Sequence, residues 1–305
     1  MHLSTAAFPE TATISGWPGN VLVIGSGLVG ASLAALIRQV DDEQGGTKRS
    51  RVVVHDLCVE HARAAVAAGH ADAVALDLPS AAATADLIVL AVPARAVRPV
   101  LRTLAGAAPS RAVIVDMGSV KADFACAAAH ILSPDQLART VPCHPVAGGT
   151  ASGPAMAGAQ VLRGCRMVLT PSQGCDERVL EGLLDFWRAL GFACVVMSPE
   201  RHDRVYAVLS HLPHLLSFAL LRQGRSLFDD PAMLASLRGN AFDLMTRMAR
   251  SNPALWAEVL GANREEVLFG LTELRSILAE IETNLRGDDA AALARALAPE
   301  GEMTA

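Results

Sequence analysis

Gly25, Gly27 and Gly30 in the segment VLVIGSGLVGASLA are spaced as G-x-G-x-x-G. The spacing alone also fits an ordinary glycine-bearing turn. Here it follows an apolar strand and opens a helix, the setting in which such a loop cradles a dinucleotide pyrophosphate. Gly25 would permit the tight turn, Gly27 the close approach of backbone to phosphate, and Gly30 the packing of helix on strand. The helix N-terminus adds free N–H groups and the positive end of a dipole. Ser26 and Leu28 complete the candidate cofactor loop, with Val92 and Pro93 after a later apolar strand. Asp56 ends the second strand, where a carboxylate can hold two ribose hydroxyls. It lies farther from Gly30 than usual, and the polar insert DDEQGGTKRS accounts for the excess. A carboxylate there would repel a 2′-phosphate, and Leu57 and Cys58 are not basic, so NAD is favoured over NADP. Lys48, Arg49 and Arg51 read as solvated loop charges.

Two later segments hold groups suited to proton transfer. VDMGSVKAD places Asp116, Gly118, Ser119 and Lys121 at the carboxyl end of a strand, where ligands meet open α/β sheets. VPCHPVAGGTASGP presents His144 beside Pro145 and reads as a glycine-rich loop without regular structure. An imidazole with an unperturbed pKa of about 6.5 can act as a base near neutral pH. Taken alone, His144 fits equally a structural loop histidine, and Ser119 fits a helix N-cap. His211 and His214 in SHLPH are three apart, as zinc ligands can be. No second cluster completes a coordination shell, so no metal is expected. Cys143 reads as a buried thiol.

The elements that must position these groups alternate. NVLVIG, SRVVVHD, ADLIVLAVP and RAVIVDMGS read as strands, separated by helical stretches such as LVGASLAALIRQV, CVEHARAAVAAG and ARAVRPVLRTLAG. A strand–helix–strand passage follows: CRMVLTP, DERVLEGLLDFWRALG, FACVVMSP. Strands apolar on both faces, alternating with helices, predict a doubly wound parallel sheet of the α/β Rossmann type. From about Pro199 only helical patterns remain. The expected organisation is a loose leader over 1–19, a dinucleotide-binding domain over 20–198 and an all-helical domain over 199–305. Long apolar helices with nothing else to cover them predict burial against a second copy, a homodimer.

The chain has 305 residues, 51% of them hydrophobic, and a net charge of −5. It offers no basic field for a phosphate backbone, so nucleic acid is not expected as a partner. No uninterrupted apolar run approaches the roughly 18 residues of a membrane span. The N-terminus lacks the pattern of a signal peptide. Six scattered cysteines without a CxxC pair suggest reduced thiols and the cytoplasm.

Five segments in order, GSGLVGAS, DMGSVK, HPVAG, SHLPH and TRMARSNPALW, resemble the motifs of the prephenate/arogenate dehydrogenase family. The resemblance runs from about Val21 to about Glu282. It implies a small cyclohexadiene acid substrate, NAD, and oxidative decarboxylation of prephenate to 4-hydroxyphenylpyruvate in tyrosine biosynthesis. By resemblance, His144 takes the proton of the ring hydroxyl, and Ser119 contacts that hydroxyl and the nicotinamide region. Arg247 binds a substrate carboxylate, for which a planar guanidinium suits two parallel bonds, and His214 faces the active site.

Thr150 and Leu244 stand where family members often carry acidic residues. Missing carboxylates favour the substrate without an ammonium group. Arogenate and an amino-substituted prephenate stay open as alternatives, as does inhibition by tyrosine. After Gly287 only a short helix and a tail are expected, with no regulatory domain or chorismate mutase segment. A β-hydroxyacid dehydrogenase would need a lysine in the helical domain, and none occurs from Pro199 to Glu282. A non-catalytic NAD-binding protein would have no reason to keep His144, Ser119 and Arg247 together.

Overall fold

The computed structural model describes residues 18–43, 45, 50–147, 153–287 and 289–298. Lys48, Arg49, Thr150 and nearly all of the 1–19 leader lie outside the described residues. The chain divides into two compact units, one of residues up to Asp203 with Arg250–Ala262, the other of Arg204–Ala249 with Asn263–Ala305.

The first unit opens with β1 (Asn20–Ile24), α1 (Leu28–Glu43), β2 (Arg51–His55), α2 (Val59–Ala67) and β3 (Ala73–Val74). It continues with α3 (Leu78–Thr84), β4 (Leu87–Leu90), α4 (Ala94–Ala107), β5 (Val113–Asp116) and α5 (Ala122–Ile131). Then come α6 (Pro134–Ala138), β6 (Thr140–Val146), β7 (Arg166–Leu169), α7 (Glu177–Ala189) and β8 (Ala193–Val196). Among the described residues the strands form one sheet ordered β3-β2-β1-β4-β5-β6-β7-β8. The alternation of β1 shows why it must be apolar throughout. Val21 and Val23 join Leu33, Leu36 and Val52 in the core on one face, while Leu22 and Ile24 join Leu101, Leu104 and Phe124 on the other. Burying each side chain of this size contributes about 1.5–3 kcal/mol.

One expectation needs correction, with a consequence for the far side of the otherwise parallel sheet. VPCHPV is not an irregular loop: it is β6, paired parallel with β5 (Asp116 opposite Pro142) and antiparallel with β7 (His144 opposite Val168). Pro142 and Pro145 hid it, because proline lacks the ladder N–H and argues against a central strand. The sheet is therefore parallel only from β3 to β6, with β7 and β8 running the other way.

In the second unit, α8 (Pro199–Tyr206), whose last residues belong there, continues through a π turn (Ala207–His211) into α9 (Leu212–Arg225). Leu212 N–H donates to Ala207 O across the π turn. Pro213, just after, has no N–H for the carbonyl four residues back, and its ring crowds that carbonyl, which favours a shifted ladder. α10 (Pro231–Leu237), α11 (Asn240–Thr246), a 3₁₀ turn (Arg247–Arg250), α13 (Arg264–Arg286) and α14 (Ala290–Leu297) follow, with α12 (Pro253–Ala262) intervening. α12 belongs with the first unit, where it packs on α4 and Arg95 pairs with Glu258 at 3.1 Å. The limits 20–198 and 199–305 do not separate α12 in this way. A side chain at Gly224 of α9 would place its Cβ 2.6 Å from the Phe242 ring of α11, so the two helices approach closely there.

One stretch of described residues, 199–225, is helical throughout and long and apolar enough to cross a membrane by length and composition alone. It is not an uninterrupted apolar run, because Arg201, Asp203 and Arg204 stand at its start and Ser210, His211 and His214 within it.

Candidate active site

The strand order reverses between β1 and β4, and the glycine turn sits at the carboxyl ends of these two strands. Such a switch point opens a crevice for a ligand. Gly25 has φ +97°, and an added Cβ would lie 2.3 Å from Ala91 O, so only glycine fits. At Gly30 a Cβ would meet Gly25 O at 1.9 Å, which fixes how tightly α1 abuts the turn. Gly27 faces open space. Val92 borders the same turn, with Cγ1 3.2 Å from where a Gly25 Cβ would stand; Pro93 follows it as the N-cap of α4. Leu28 begins α1.

Asp56 is already engaged with the loop. Its Oδ2 accepts from Ser26 N–H at 2.7 Å and its Oδ1 from Cys58 N–H at 2.8 Å. A carboxylate has about four acceptor positions, so two remain for ribose hydroxyls. Ser26 Oγ is buried without a hydrogen-bond partner among the described residues. A buried hydroxyl without a partner is costly, and beside a helix N-terminus facing open space it suits a phosphate oxygen. These residues fit a dinucleotide.

At the carboxyl ends of the neighbouring strands, Asp116 closes β5 and the chain bends through half-buried Ser119 into α5. On β6, His144 lies two residues past Pro142, the partner of Asp116. Ser119 and His144 thus both lie past the last paired residues of β5 and β6, His144 still within β6 and paired with β7. Ser119 does not cap α5; the N-cap position is Lys121. Asp203, from the start of α8, caps this helix instead: its Oδ1 and Oδ2 accept from Lys121 N–H and Ala122 N–H, both at 2.8 Å.

Asp203 Oδ1 also lies 2.7 Å from His202 Nδ1, and His202 Nε2 lies 2.8 Å from His144 Nδ1. All three side chains are buried. Burial holds the His202 imidazole below the usual histidine range, against the pull of the Asp203 hydrogen bond, with Lys121 lowering it further. Below them, Lys121 is wholly buried, with Nζ 2.7 Å from both oxygens of Asp116 and 2.6 Å from Cys143 O. Burial pushes the Asp116 carboxyl up, and the Lys121 ammonium works against that. Burial also pushes the Cys143 thiol far up, which fits a packing role and not a nucleophile.

His202 and Asp203 were not singled out in the sequence. They lie 58 and 82 residues from the partners His144 and Lys121, inside a charged run, ERHDR, that resembles any solvated helix start. The only hint was a His-Asp pair at the head of an otherwise apolar helix.

The second unit carries the other candidates. His214 sits on α9, half-buried; its Nδ1 lies 2.9 Å from Ser210 O, so it donates there and leaves the lone pair on Nε2. Burial lowers its imidazole. Ser217, three residues on, accepts from Ala249 N–H at 2.9 Å. This bond ties the turn holding Arg247 to the helix that holds His214. Arg247 is exposed, and no carboxylate pairs with it among the described residues. His211 is instead buried, with Nδ1 3.1 Å from Asn263 Nδ2. No group of three potential metal ligands occurs among the described residues. Leu244 on α11 is 60% exposed.

The chain matches the family described as prephenate dehydrogenase, nucleotide-binding domain, over residues 44–196. It matches prephenate dehydrogenase, dimerization domain, over 198–299. Prephenate dehydrogenase of Bacillus subtilis is 29% identical over 277 residues, covering 90% of this chain and 72% of that protein. Cyclohexadienyl dehydrogenase of Zymomonas mobilis is 29% identical over 272 residues, covering 88% and 89%. A crystal structure of Aquifex aeolicus prephenate dehydrogenase, in complex with hydroxyphenyl propionate and NAD+, superposes with a TM-score of 0.81 at 26% identity, covering 94% of this chain and 96% of that one. The two family models follow one another along most of the chain, and the chain belongs to the prephenate dehydrogenase family.

Proposed function

We propose that this protein is an NAD-dependent prephenate dehydrogenase, converting prephenate to 4-hydroxyphenylpyruvate and CO2 in tyrosine biosynthesis. The observation that carries the proposal is His144, a buried imidazole on β6 two residues past its last pairing with β5, in a chain matched by both domains of that family. NAD+, when bound, supplies the acceptor for the two electrons and hydrogen leaving the hydroxyl-bearing ring carbon. Gly25, Ser26, Gly27, Leu28 and Gly30 hold its pyrophosphate, Asp56 its ribose hydroxyls, and Val92 and Pro93 border it.

His144 takes the hydroxyl proton as the carbonyl forms, and Ser119 holds the same oxygen. The bond from ring to carboxylate then breaks, its electron pair completes the aromatic ring, and CO2 departs. The proton returns from His144 to the phenolic oxygen, so no net proton is released. Arg247 binds a substrate carboxylate and His214 faces the substrate. Exposed Leu244 in place of an acid favours the keto acid side chain of prephenate over the ammonium of arogenate.

The exposed apolar side chains of the helical unit, including Leu209, Leu268, Phe269 and Leu285, support a homodimer formed through that unit. The same requirement for cover explains the apolar character of 199–225 without a bilayer. The six cysteines stand as free thiols, consistent with a cytoplasmic enzyme.

The test supplies NAD+ with prephenate and, separately, arogenate, following reduced nicotinamide by absorbance. Turnover of prephenate, lost in His144→Asn while NAD+ still binds, is the expected result. Turnover of arogenate alone would overturn the substrate assignment.

A further inference from the structure

We propose that His202 and Asp203 are positioning residues that set the tautomer of His144 and share the proton it takes from substrate, an inference that rests on the dehydrogenase reading above. The chain of hydrogen bonds has one direction. Asp203 is an acceptor at both oxygens, receiving the Lys121 and Ala122 N–H groups at the N-terminus of α5. The contact at 2.7 Å with His202 Nδ1 is therefore an N–H donated by His202. A neutral imidazole carries one N–H, so His202 Nε2 holds a lone pair. His144 Nδ1, 2.8 Å away, must donate to it. This assigns the lone pair of His144 to Nε2, the nitrogen that takes the substrate proton.

The arrangement also manages charge. When His144 Nε2 gains a proton, the Nδ1 proton can shift to His202 Nε2 as the Nδ1–H bond breaks and the new N–H bond forms. The imidazolium then stands on His202 against the Asp203 carboxylate. Reversal of the shift returns the proton to the phenolic oxygen. The charged groups acting on His202 are Asp203 and Asp116, which favour its charged form, and Lys121, which opposes it. Burial keeps His202 neutral at rest, so the relay starts in the state the geometry requires. Asp203 is held rigidly because the same carboxylate caps α5.

The test uses the full-length enzyme and two variants. In Asp203→Asn the amide can donate toward His202 Nδ1, which reverses both tautomers. In His202→Gln the cap of α5 stays intact, so this variant remains informative if Asp203→Asn unfolds. Imidazole nitrogen NMR should show His144 as the Nδ1–H tautomer in the parent protein and not in Asp203→Asn. Each variant should lower kcat by on the order of 100-fold or more, with KM for NAD+ near the parent value. In His202→Gln the acid limb of the kcat–pH profile should move to lower pH, because the His144 imidazolium loses its support. An Nε2–H tautomer of His144 in the parent protein overturns the proposal, as does an unchanged acid limb in His202→Gln. The NMR readout needs no turnover, so absence of activity with prephenate would count against the proposed function and leave the relay separately judged.

Discussion

Lys121 Nζ lies 2.7 Å from both carboxylate oxygens of Asp116, and neither side chain reaches solvent beyond a few per cent. β5 ends at Asp116, yet β6 runs on past it. The ion pair takes over from the missing strand: Lys121 Nζ, held by both oxygens of Asp116, donates to Cys143 O. The residue next to His144 is therefore held on its open side by a charge pair and not by a ladder. Removing one partner of a buried pair leaves an uncompensated charge. Lys121→Met should destabilise the protein by about 3–5 kcal/mol in denaturant unfolding. The double variant Lys121→Met, Asp116→Asn should cost less than the sum of its singles. Full additivity would show that the pair is not coupled.

Arg247 should act on binding. Arg247→Ala should raise KM for prephenate roughly 10- to 150-fold, the worth of a charge-assisted hydrogen bond, with kcat changed much less. Arg247→Lys keeps the charge without the planar fork and should fall between the two. An unchanged KM in Arg247→Ala would remove it from the substrate site.

Asp56 should set the cofactor preference. Asp56→Ser removes the acceptor for the ribose hydroxyls and the charge that repels a 2′-phosphate. The ratio of kcat/KM for NAD+ over NADP+ should drop by on the order of tenfold or more. Some thermal stability should go with it, because Ser26 and Cys58 lose the acceptor for their N–H groups. A ratio that does not move would make Asp56 purely a brace for the loop.

Acid should destabilise the fold. The imidazoles of His202 and His214 are held below the ordinary value of 6.5 by burial. Between their folded values and 6.5 the unfolded chain binds more protons, so stability rises with pH in that window and is lost as pH falls through it. The melting temperature should therefore decline as pH drops below about 6.5, and His214→Gln should flatten part of that slope. A melting temperature that climbs on acidification would contradict the burial of these rings.

The parts legible in the sequence were those written in contiguous residues. Gly25, Gly27 and Gly30 announce the cofactor turn because its geometry is local: a positive φ at Gly25 and close approaches at Gly25 and Gly30 leave no room for a Cβ. Strands buried on both faces announced themselves as unbroken apolar runs, since either face exposed to water would require alternation. The candidates His144, Ser119 and Arg247 stand out through short motifs in order. β6 was not, because two prolines disguise a strand whose ladder partners on either side are supplied by β5 and β7.

What only the tertiary structure decided is how those residues are paired. No local pattern tells that Asp203 caps a helix 82 residues earlier, that His202 turns its ring to His144 across 58 residues, or that Lys121 points inward instead of to water. Sequence spacing encodes contacts made along one element, where the period is fixed by backbone geometry. Contacts between elements depend on where separate strands and helices end in space. The candidate base could therefore be read from the sequence, while the contacts proposed to set its tautomer are made only in the fold.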